Sequence, residues 1–366
     1  MRETSSICEL IIIFVNCMEK ILSPDKIKAF MKLLDKSNKI VLTCHVHPDG
    51  DAIGSTLGLW HLLNELGYKP SVVVPDIPPR SLKFLPGFNE IAVYTRHDPY
   101  CVRLTDEADL IICCDFNKPT RQDHLAPLIQ NSKAPKVLID HHDEPEIDCE
   151  VEFSYPEMSS TCELVFRIIA ACGLYNEMNL ESATCLLTGL ITDTQNFTVN
   201  CQYPDIYEIL IKLLEKGVDK PRIIYECVKA SSYSSMKLKA FAFAEKLEIF
   251  PEHRGSLITL SKEELAQYNY QKGDTEGLVN EPLNIRGMVY SIFMREDSDY
   301  IKVSARSRYN FPVSKICSDL FNGGGHLQAS GGEFSGTLEE CRKLLVENLS
   351  KYDKYLPQKI ERLEIN

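Results

Sequence analysis

Lys39-Ile-Val-Leu-Thr-Cys44, followed at once by His45-Val-His-Pro-Asp-Gly-Asp51, governs how the rest of the chain is read. The first six residues form an apolar run of strand character. The next seven carry an imidazole and two carboxylates in His-x-x-x-Asp-x-Asp spacing, the chemistry of a metal-binding seed rather than of a solvated acidic loop. Later apolar runs end the same way. Asp115 follows Leu110-Ile-Ile-Cys-Cys114, Asp140-His141-His142 follows Lys136-Val-Leu-Ile139, and Asp193 follows Leu186-Leu-Thr-Gly-Leu-Ile191. Segments that all end in Asp or His imply one shared polynuclear metal centre.

From about residue 20 to 195, β-like runs at 40–44, 70–74, 110–114 and 136–139 alternate with helical periodicity at 24–34, 52–66, 160–172 and 180–191. Strands apolar on both faces and alternating with helices predict an α/β fold, a mostly parallel sheet with helices on both faces. Ligands of such sheets collect beyond the carboxyl ends of the strands. Asp49, Asp51, Asp115, Asp140, His141 and His142 all fall there. We read residues 19–200 as a catalytic metal-binding domain. Residues 201–250 read as a helical connector, with helical runs at 207–216, 222–229 and 236–248, Gly217 as a stop and Pro221 as a restart. A second, smaller α/β domain is expected over 251–352, forming an interdomain cleft, with 353–366 as a tail. Its strands are predicted at 256–260, 288–294 and 300–306, and its helices at 313–321 and 338–349.

Bulk properties narrow the function. A chain of 366 residues has room for two cores. A net charge of −12 argues against coating long nucleic acid, yet bound cations would reverse the local field for a small anionic substrate. The 14 cysteines are scattered without a Cys-x-x-Cys pair, which reads as reduced thiols in a cytoplasmic protein. Residues 7–18 are apolar apart from Glu9 and Asn16, but fall short of the roughly 20 needed to span a bilayer. They also make a poor signal peptide. Residues 1–18 are taken as an uninformative extension, and no membrane partner is expected.

Each candidate has a plainer reading. His45 could be merely packed, with Asp51 the N-cap of the following helix; the same helix start would attract phosphate. Gly54, Ser55 and Gly58 would let that helix pack closely on the sheet. Asp115 alone is a turn residue and Asp193 alone a helix-end acid. His141 and His142 could be surface histidines beside Asp143, Glu144 and Glu146; as neighbours they point apart, so one can ligate metal while the other faces substrate. The combination is more specific than any member. Carboxylates with imidazoles suit Mn²⁺ or a similar divalent ion, whereas structural zinc would favour cysteines, and Cys44, Cys113 and Cys114 lie inside predicted strands. Two such ions could activate a water and clamp a phosphoryl group.

A second feature is Gly323-Gly-Gly-His326, preceded by Asn322. Its glycines would bring backbone N–H groups close to an anion. Ser304-Ala-Arg-Ser-Arg308 adds guanidiniums suited to bidentate phosphate recognition, with Arg306 at the strand end and Arg308 read as a solvated turn residue.

Taken in order, these motifs resemble the DHH phosphoesterase superfamily with its associated C-terminal domain. Ser159-Ser-Thr161, Thr192-Asp-Thr194 and Asp274-Thr-Glu-Gly-Leu-Val-Asn280 are similar to the stand-alone NrnA-like branch. The resemblance implies that His45, Asp49 and Asp115 hold one metal. Asp51, Asp115, His141 and Asp193 would hold the other, with Asp115 bridging. It further implies that His142 contacts the scissile phosphate and Asp140 orients the histidine pair. Arg306, Gly323, Gly324, Gly325 and His326 would hold the far end of the substrate. Two departures bear on substrate preference: the segment Gln195-Asn-Phe-Thr-Val-Asn-Cys201 lacks the small residue that often follows Thr-Asp-Thr, and Asn322 stands where a fourth glycine is common.

The resemblance predicts a Mn²⁺-dependent phosphodiesterase that trims di- to roughly pentanucleotides to 5′-mononucleotides and dephosphorylates adenosine 3′,5′-bisphosphate, as a homodimer. Long nucleic acid is not an expected partner. The alternatives are a phosphodiesterase for cyclic dinucleotides or their linear products, an inorganic pyrophosphatase, a processive exonuclease, for which this length leaves no room, and a catalytically dead nucleotide-binding regulator. Intact ligand types at every position argue against the last.

Overall fold

The computed structural model describes residues 21–201, 203–359 and 362–364; the expected extension at 1–18 lies outside them. The chain divides into two compact units, residues 1–230 and 231–366. The first is built on strands β1 (Lys39–Thr43), β2 (Lys69–Val74), β3 (Ala92–Val93), β4 (Leu110–Cys114), β5 (Lys136–Asp140) and β6 (Val151–Ser154). They lie in the order β3-β2-β1-β4-β5-β6, and every pairing is parallel. Alternation within each strand sends side chains to two cores. Ile40, Leu42, Leu110, Ile112, Val137 and Ile139 enter one, while Val41, Val73, Ile111, Cys113 and Leu138 enter the other. Burying each such residue stabilises the sheet by roughly 1.5–3 kcal/mol, which is why these runs are apolar throughout.

The helices of this unit are α1 (Pro24–Leu34), α2 (Gly50–Glu65), α3 (Tyr94–Asp106), α4 (Ala126–Asn131), α5 (Thr161–Ala171), α6 (Leu180–Asp193), α7 (Asp205–Glu215) and α8 (Lys220–Ile224). The expected sheet packing of the small residues on α2 is corrected for the two glycines. Gly54 and Gly58 face α6: a Cβ on Gly54 would come within 2.6 Å of the Cys185 carbonyl, and one on Gly58 within 2.6 Å of Leu186. Ser182 donates its hydroxyl to the Gly58 carbonyl at 2.7 Å, tying the same two helices. The helices run antiparallel at backbone contact, so the start of α2 meets the end of α6. That brings Asp51 to Asp193.

The strand order reverses between β1 and β4. A parallel sheet opens a crevice at such a point, beyond its carboxyl ends. His45 leaves β1 on one side of it and Asp115 leaves β4 on the other.

In the second unit a mixed sheet has the order β11-β12-β10-β9-β8-β7. Its strands are β7 (Leu247–Phe250), β8 (Gly255–Leu260), β9 (Tyr290–Glu296), β10 (Ile301–Ser307), β11 (Gly324–His326) and β12 (Ala329–Phe334). Only β8 and β9 pair in parallel. Among its helices are α9 (Tyr233–Glu245), α10 (Lys262–Gln267), α11 (Val313–Leu320) and α12 (Leu338–Asn348). The last two cover a core of Ile292, Met294, Val303, Ala305, Ile316 and Leu345. The region read as a single connector is divided: α7 and α8 belong to the first unit, α9 to the second.

The glycine run is the main departure from expectation. Expected to bring backbone N–H groups to an anion, the run from Gly324 to His326 forms edge strand β11, paired with β12 through Gly324–Gly331, Gly325–Ser330 and His326–Ala329. A side chain on Gly332 would come within 2.5 Å of the Phe321 carbonyl, and one on Gly323 would strike the Gly331 backbone. Gly323, Gly325 and Gly332 let backbones approach each other, whereas Gly324 has open space beside it.

Candidate metal centre

The loops that follow β1, β4 and β5, the starts of α2 and α5 and the end of α6 build the centre. After β1, the loop carrying His45 is held on three sides. Val46 N–H donates to the Arg121 carbonyl at 2.6 Å, and the Gln122 amide reaches the Thr43 hydroxyl at 2.9 Å. Asp76 accepts both the backbone N–H of His47 at 2.9 Å and its imidazole at 2.7 Å. His45 Nδ1 meets the Val46 carbonyl at 2.7 Å, which aims Nε2 at Asp115 Oδ2, 3.3 Å away, and at Asp49 Oδ1, 3.8 Å away.

Asp49, not Asp51, is the N-cap of α2: its Oδ1 accepts from the N–H groups of Asp51 and Ala52, both at 3.0 Å. Asp51 is therefore freed from capping and is 1% exposed. Its carboxylate instead accepts the Thr161 N–H at 2.6 Å and the Cys162 N–H at 2.9 Å, the first amides of α5. Thr161 also donates its hydroxyl to Asp115 Oδ1 at 3.0 Å.

His141 Nε2 stands 3.6 Å from Asp115, 3.6 Å from Asp193 and 3.9 Å from Asp51. The two imidazoles are in edge contact, with ring centroids 4.8 Å apart and planes at 65°, and both approach Asp115 Oδ1. Their orienting partners are separate. Asp140, fully buried, binds His142 Nδ1 at 2.8 Å, whereas His141 Nδ1 faces the Met158 carbonyl at 3.3 Å. Asp140 thus orients His142, and the backbone orients His141.

Three sets of donor atoms come close enough to share an ion: His45, Asp49 and Asp115; Asp51, His141 and Asp193; and Asp115, His141 and His142, each within 4.8 Å. Every residue named from sequence for the metal sites lies in one of these sets. Arg306, Gly323, Gly324, Gly325 and His326 belong to the second unit. There Arg306 and Gly324, with Lys302, Ser304, Ser330 and Gly331, line a cavity of about 550 Å³. The Gly323 N–H donates to the Cys317 carbonyl at 3.1 Å and so is not free for an anion.

The electrostatics fit cations. Burial, then the neighbouring carboxylates Asp115 and Asp193, push the Asp51 pKa well up. Burial and the charges of Asp115 and Asp49 raise Asp193 to about 7. Burial opposes charging of the imidazoles, but Asp115 and the other acids outweigh it and lift His45 and His141 to about 9. Burial would raise Asp115 too; the hydrogen bond and charge of His45, with the charges of His141 and His142, bring it down to about 2. Acids packed this tightly without lysine or arginine among them draw protons, and divalent cations are the better neutralising charge.

Sequence reasoning missed Gln122, Met158 and the role of Thr161. Asp76 could have been found, since it ends an apolar run as the ligand candidates do. It holds His47 instead.

Carboxylates and imidazoles gathered at the switch point of a doubly wound sheet form a candidate centre for divalent cations. Comparison with known proteins gives the family. The DHH family, N-terminal domain, matches residues 39–190, and the DHHA1 domain matches residues 257–352. The chain belongs to the DHH family of phosphoester hydrolases. It is 32% identical over 298 residues to a Thermus thermophilus protein named bifunctional oligoribonuclease and PAP phosphatase NrnA, covering 81% of this chain and 84% of the relative. The Bacillus subtilis protein of that name is 25% identical, with 84% of this chain and 93% of the relative covered. The fold is similar to the crystal structure of an exopolyphosphatase-related protein from Bacteroides fragilis, with a TM-score of 0.89 and 42% identity over 92% of this chain and 98% of that one.

Proposed function

We propose that this protein hydrolyses very short oligonucleotides to 5′-mononucleotides and removes the 3′-phosphate of adenosine 3′,5′-bisphosphate, using two divalent cations, manganese by expectation. The carrying observation is the convergence of His45, Asp49, Asp51, Asp115, His141 and Asp193 in one crevice. The names of the relatives, matched over most of their length, support the same substrates.

In this reading His45, Asp49 and Asp115 would hold one cation, and Asp51, Asp115, His141 and Asp193 would hold the other. When bound, the cations would neutralise phosphate charge and acidify the attacking water. His142, its Nδ1 fixed by Asp140, presents Nε2 to the scissile phosphate. Arg306, in the second unit, would hold an anionic group of the substrate. It is half-buried, with Nη1 donating to the carbonyls of Ala305 and Ser330 at 2.9 and 3.5 Å, so an anion would be its stronger partner. We place the protein in the reducing cytoplasm as a homodimer; the cysteines among the described residues are all free thiols, and no described helix is long and apolar enough to cross a membrane.

The test offers purified protein and Mn²⁺ a labelled dinucleotide, adenosine 3′,5′-bisphosphate, a cyclic dinucleotide and a long RNA side by side. Mononucleotides from the dinucleotide and AMP from the bisphosphate are expected. Preference for the cyclic dinucleotide or the long RNA would overturn the reading.

A further inference from the structure

The three residues Ser159, Ser160 and Thr161 sit where α5 begins, and nothing in the ligand sets above includes them. Yet Thr161 touches both halves of the centre. Its backbone N–H holds Asp51 Oδ2 at 2.6 Å, and its hydroxyl holds Asp115 Oδ1 at 3.0 Å. The neighbouring Cys162 N–H takes the other oxygen of Asp51 at 2.9 Å. Asp51 is thereby fixed at both oxygens by amides that a helix start leaves without intrahelical partners.

Asp115 is different. Its Oδ2 faces His45 Nε2 at 3.3 Å, while its Oδ1 lies 3.6 Å from His141 Nε2. One oxygen is thus turned to each half of the centre, and rotation of the carboxylate about its last bond would undo that division. The Thr161 hydroxyl donates to Oδ1 and opposes the rotation. Thr161 is itself completely buried and held from behind. Glu163 accepts the Ser159 N–H at 2.9 Å and its hydroxyl at 2.6 Å through one oxygen. Through the other it takes Nε and Nη2 of the buried Arg167, at 2.9 and 2.6 Å. The turn that presents Thr161 is therefore anchored by an ion pair inside the protein.

We infer that Thr161 is a positioning residue of the reaction: its hydroxyl sets the Asp115 carboxylate so that one oxygen serves each cation position. The inference rests on the metal reading above. A hydroxyl that orients a ligand carboxylate affects cation affinity, and removing such a partner typically costs about 10- to 100-fold.

The test compares wild type, Thr161→Val and Thr161→Ser. Valine keeps the shape and the backbone amide but not the hydroxyl; serine keeps the hydroxyl. Calorimetric titration of each with Mn²⁺ alone, with no substrate present, gives affinity and stoichiometry. Circular dichroism checks that each variant is folded. Valine is expected to weaken Mn²⁺ binding about 10- to 100-fold and to lower kcat with little change in KM for a dinucleotide, while serine restores both. Valine binding Mn²⁺ as wild type does would overturn the role of Thr161 and leave the metal centre standing. Loss in serine equal to that in valine would also overturn it, since the hydroxyl would not then be the cause. Wild type that binds no Mn²⁺ would instead sink the metal reading. If the valine variant does not fold, Thr161→Ala in the same titration replaces it, with the same two outcomes.

Discussion

Nε2 of His45 stands 3.3 Å from Oδ2 of Asp115, the two residues lying just past neighbouring strands on either side of the reversal in strand order. Asp115 also faces His141 and His142 with its other oxygen, at 3.6 and 3.8 Å. Asp115 therefore belongs to two of the three donor sets and faces His141, which belongs to the third. Asp115→Ala is expected to lower kcat by more than about a hundredfold, beyond the usual loss of an orienting partner, and to leave the sheet in place, since Asp115 lies just past the end of β4. Steady-state hydrolysis of a dinucleotide, with circular dichroism alongside, checks this; unchanged turnover would remove Asp115 from its bridging place.

Cation binding should expel protons. His45 and His141 lie near 9 and Asp193 near 7 when no cation is present. At pH 7 the two imidazoles are protonated and Asp193 is partly so. Ligation requires the deprotonated forms, so affinity must rise with pH between 6 and 9. Titrating Mn²⁺ in two buffers of different ionisation enthalpy should show more than one proton released per protein at pH 7. Identical heats in both buffers would contradict the electrostatic picture.

Arg306→Ala should raise KM for dinucleotides with a smaller change in kcat, since the guanidinium is assigned to binding rather than to the reacting atoms. Initial-rate kinetics over a range of dinucleotide concentrations decides it. An unchanged KM would mean the clamp lies elsewhere.

Gly189 is the close point between α6 and the start of α2. A methyl group there would strike Cys162 Sγ and come within 2.8 Å of Asp51 Oδ1. Gly189→Ala should destabilise the chain by roughly 1–3 kcal/mol through overpacking, and should weaken Mn²⁺ binding as Asp51 shifts. Urea denaturation and metal titration read the two effects separately.

Gln195, Asn196 and Phe197 take φ of +48°, +56° and +62°, a left-handed turn made without glycine. Such backbone costs an L-residue about 1–2 kcal/mol, and Gln195 is exposed, with its side chain free of the core. Gln195→Gly should stabilise the chain by about 0.5 kcal/mol after allowing for the looser unfolded state. A urea midpoint that falls instead would show that the glutamine contributes something the backbone does not reveal.

Much of the fold was legible because β1, β4 and β5 are buried on both faces and so must be apolar throughout; their bounds differ from expectation by a residue or less. Strand β3 has two residues and β6 four, too short for periodicity to register. Strand β11 was hidden by glycine, which signals a turn in sequence but here permits backbones to lie close. The Asp49 cap was misplaced onto Asp51 because both are acids at the same helix start, and only the observed hydrogen bonds separate them.

The sequence by itself determined which residues could bind metal and that they lie at strand and helix ends, because ligand chemistry and apolar runs are local properties of the chain. Tertiary structure alone decided how they meet. Gly54, Gly58 and Gly189 bring two helices into backbone contact and carry Asp51 to Asp193, and the first turn of α5 holds Asp51 and Asp115. Such contacts join residues far apart in the chain and depend on how close the backbones pack, a distance no local pattern encodes.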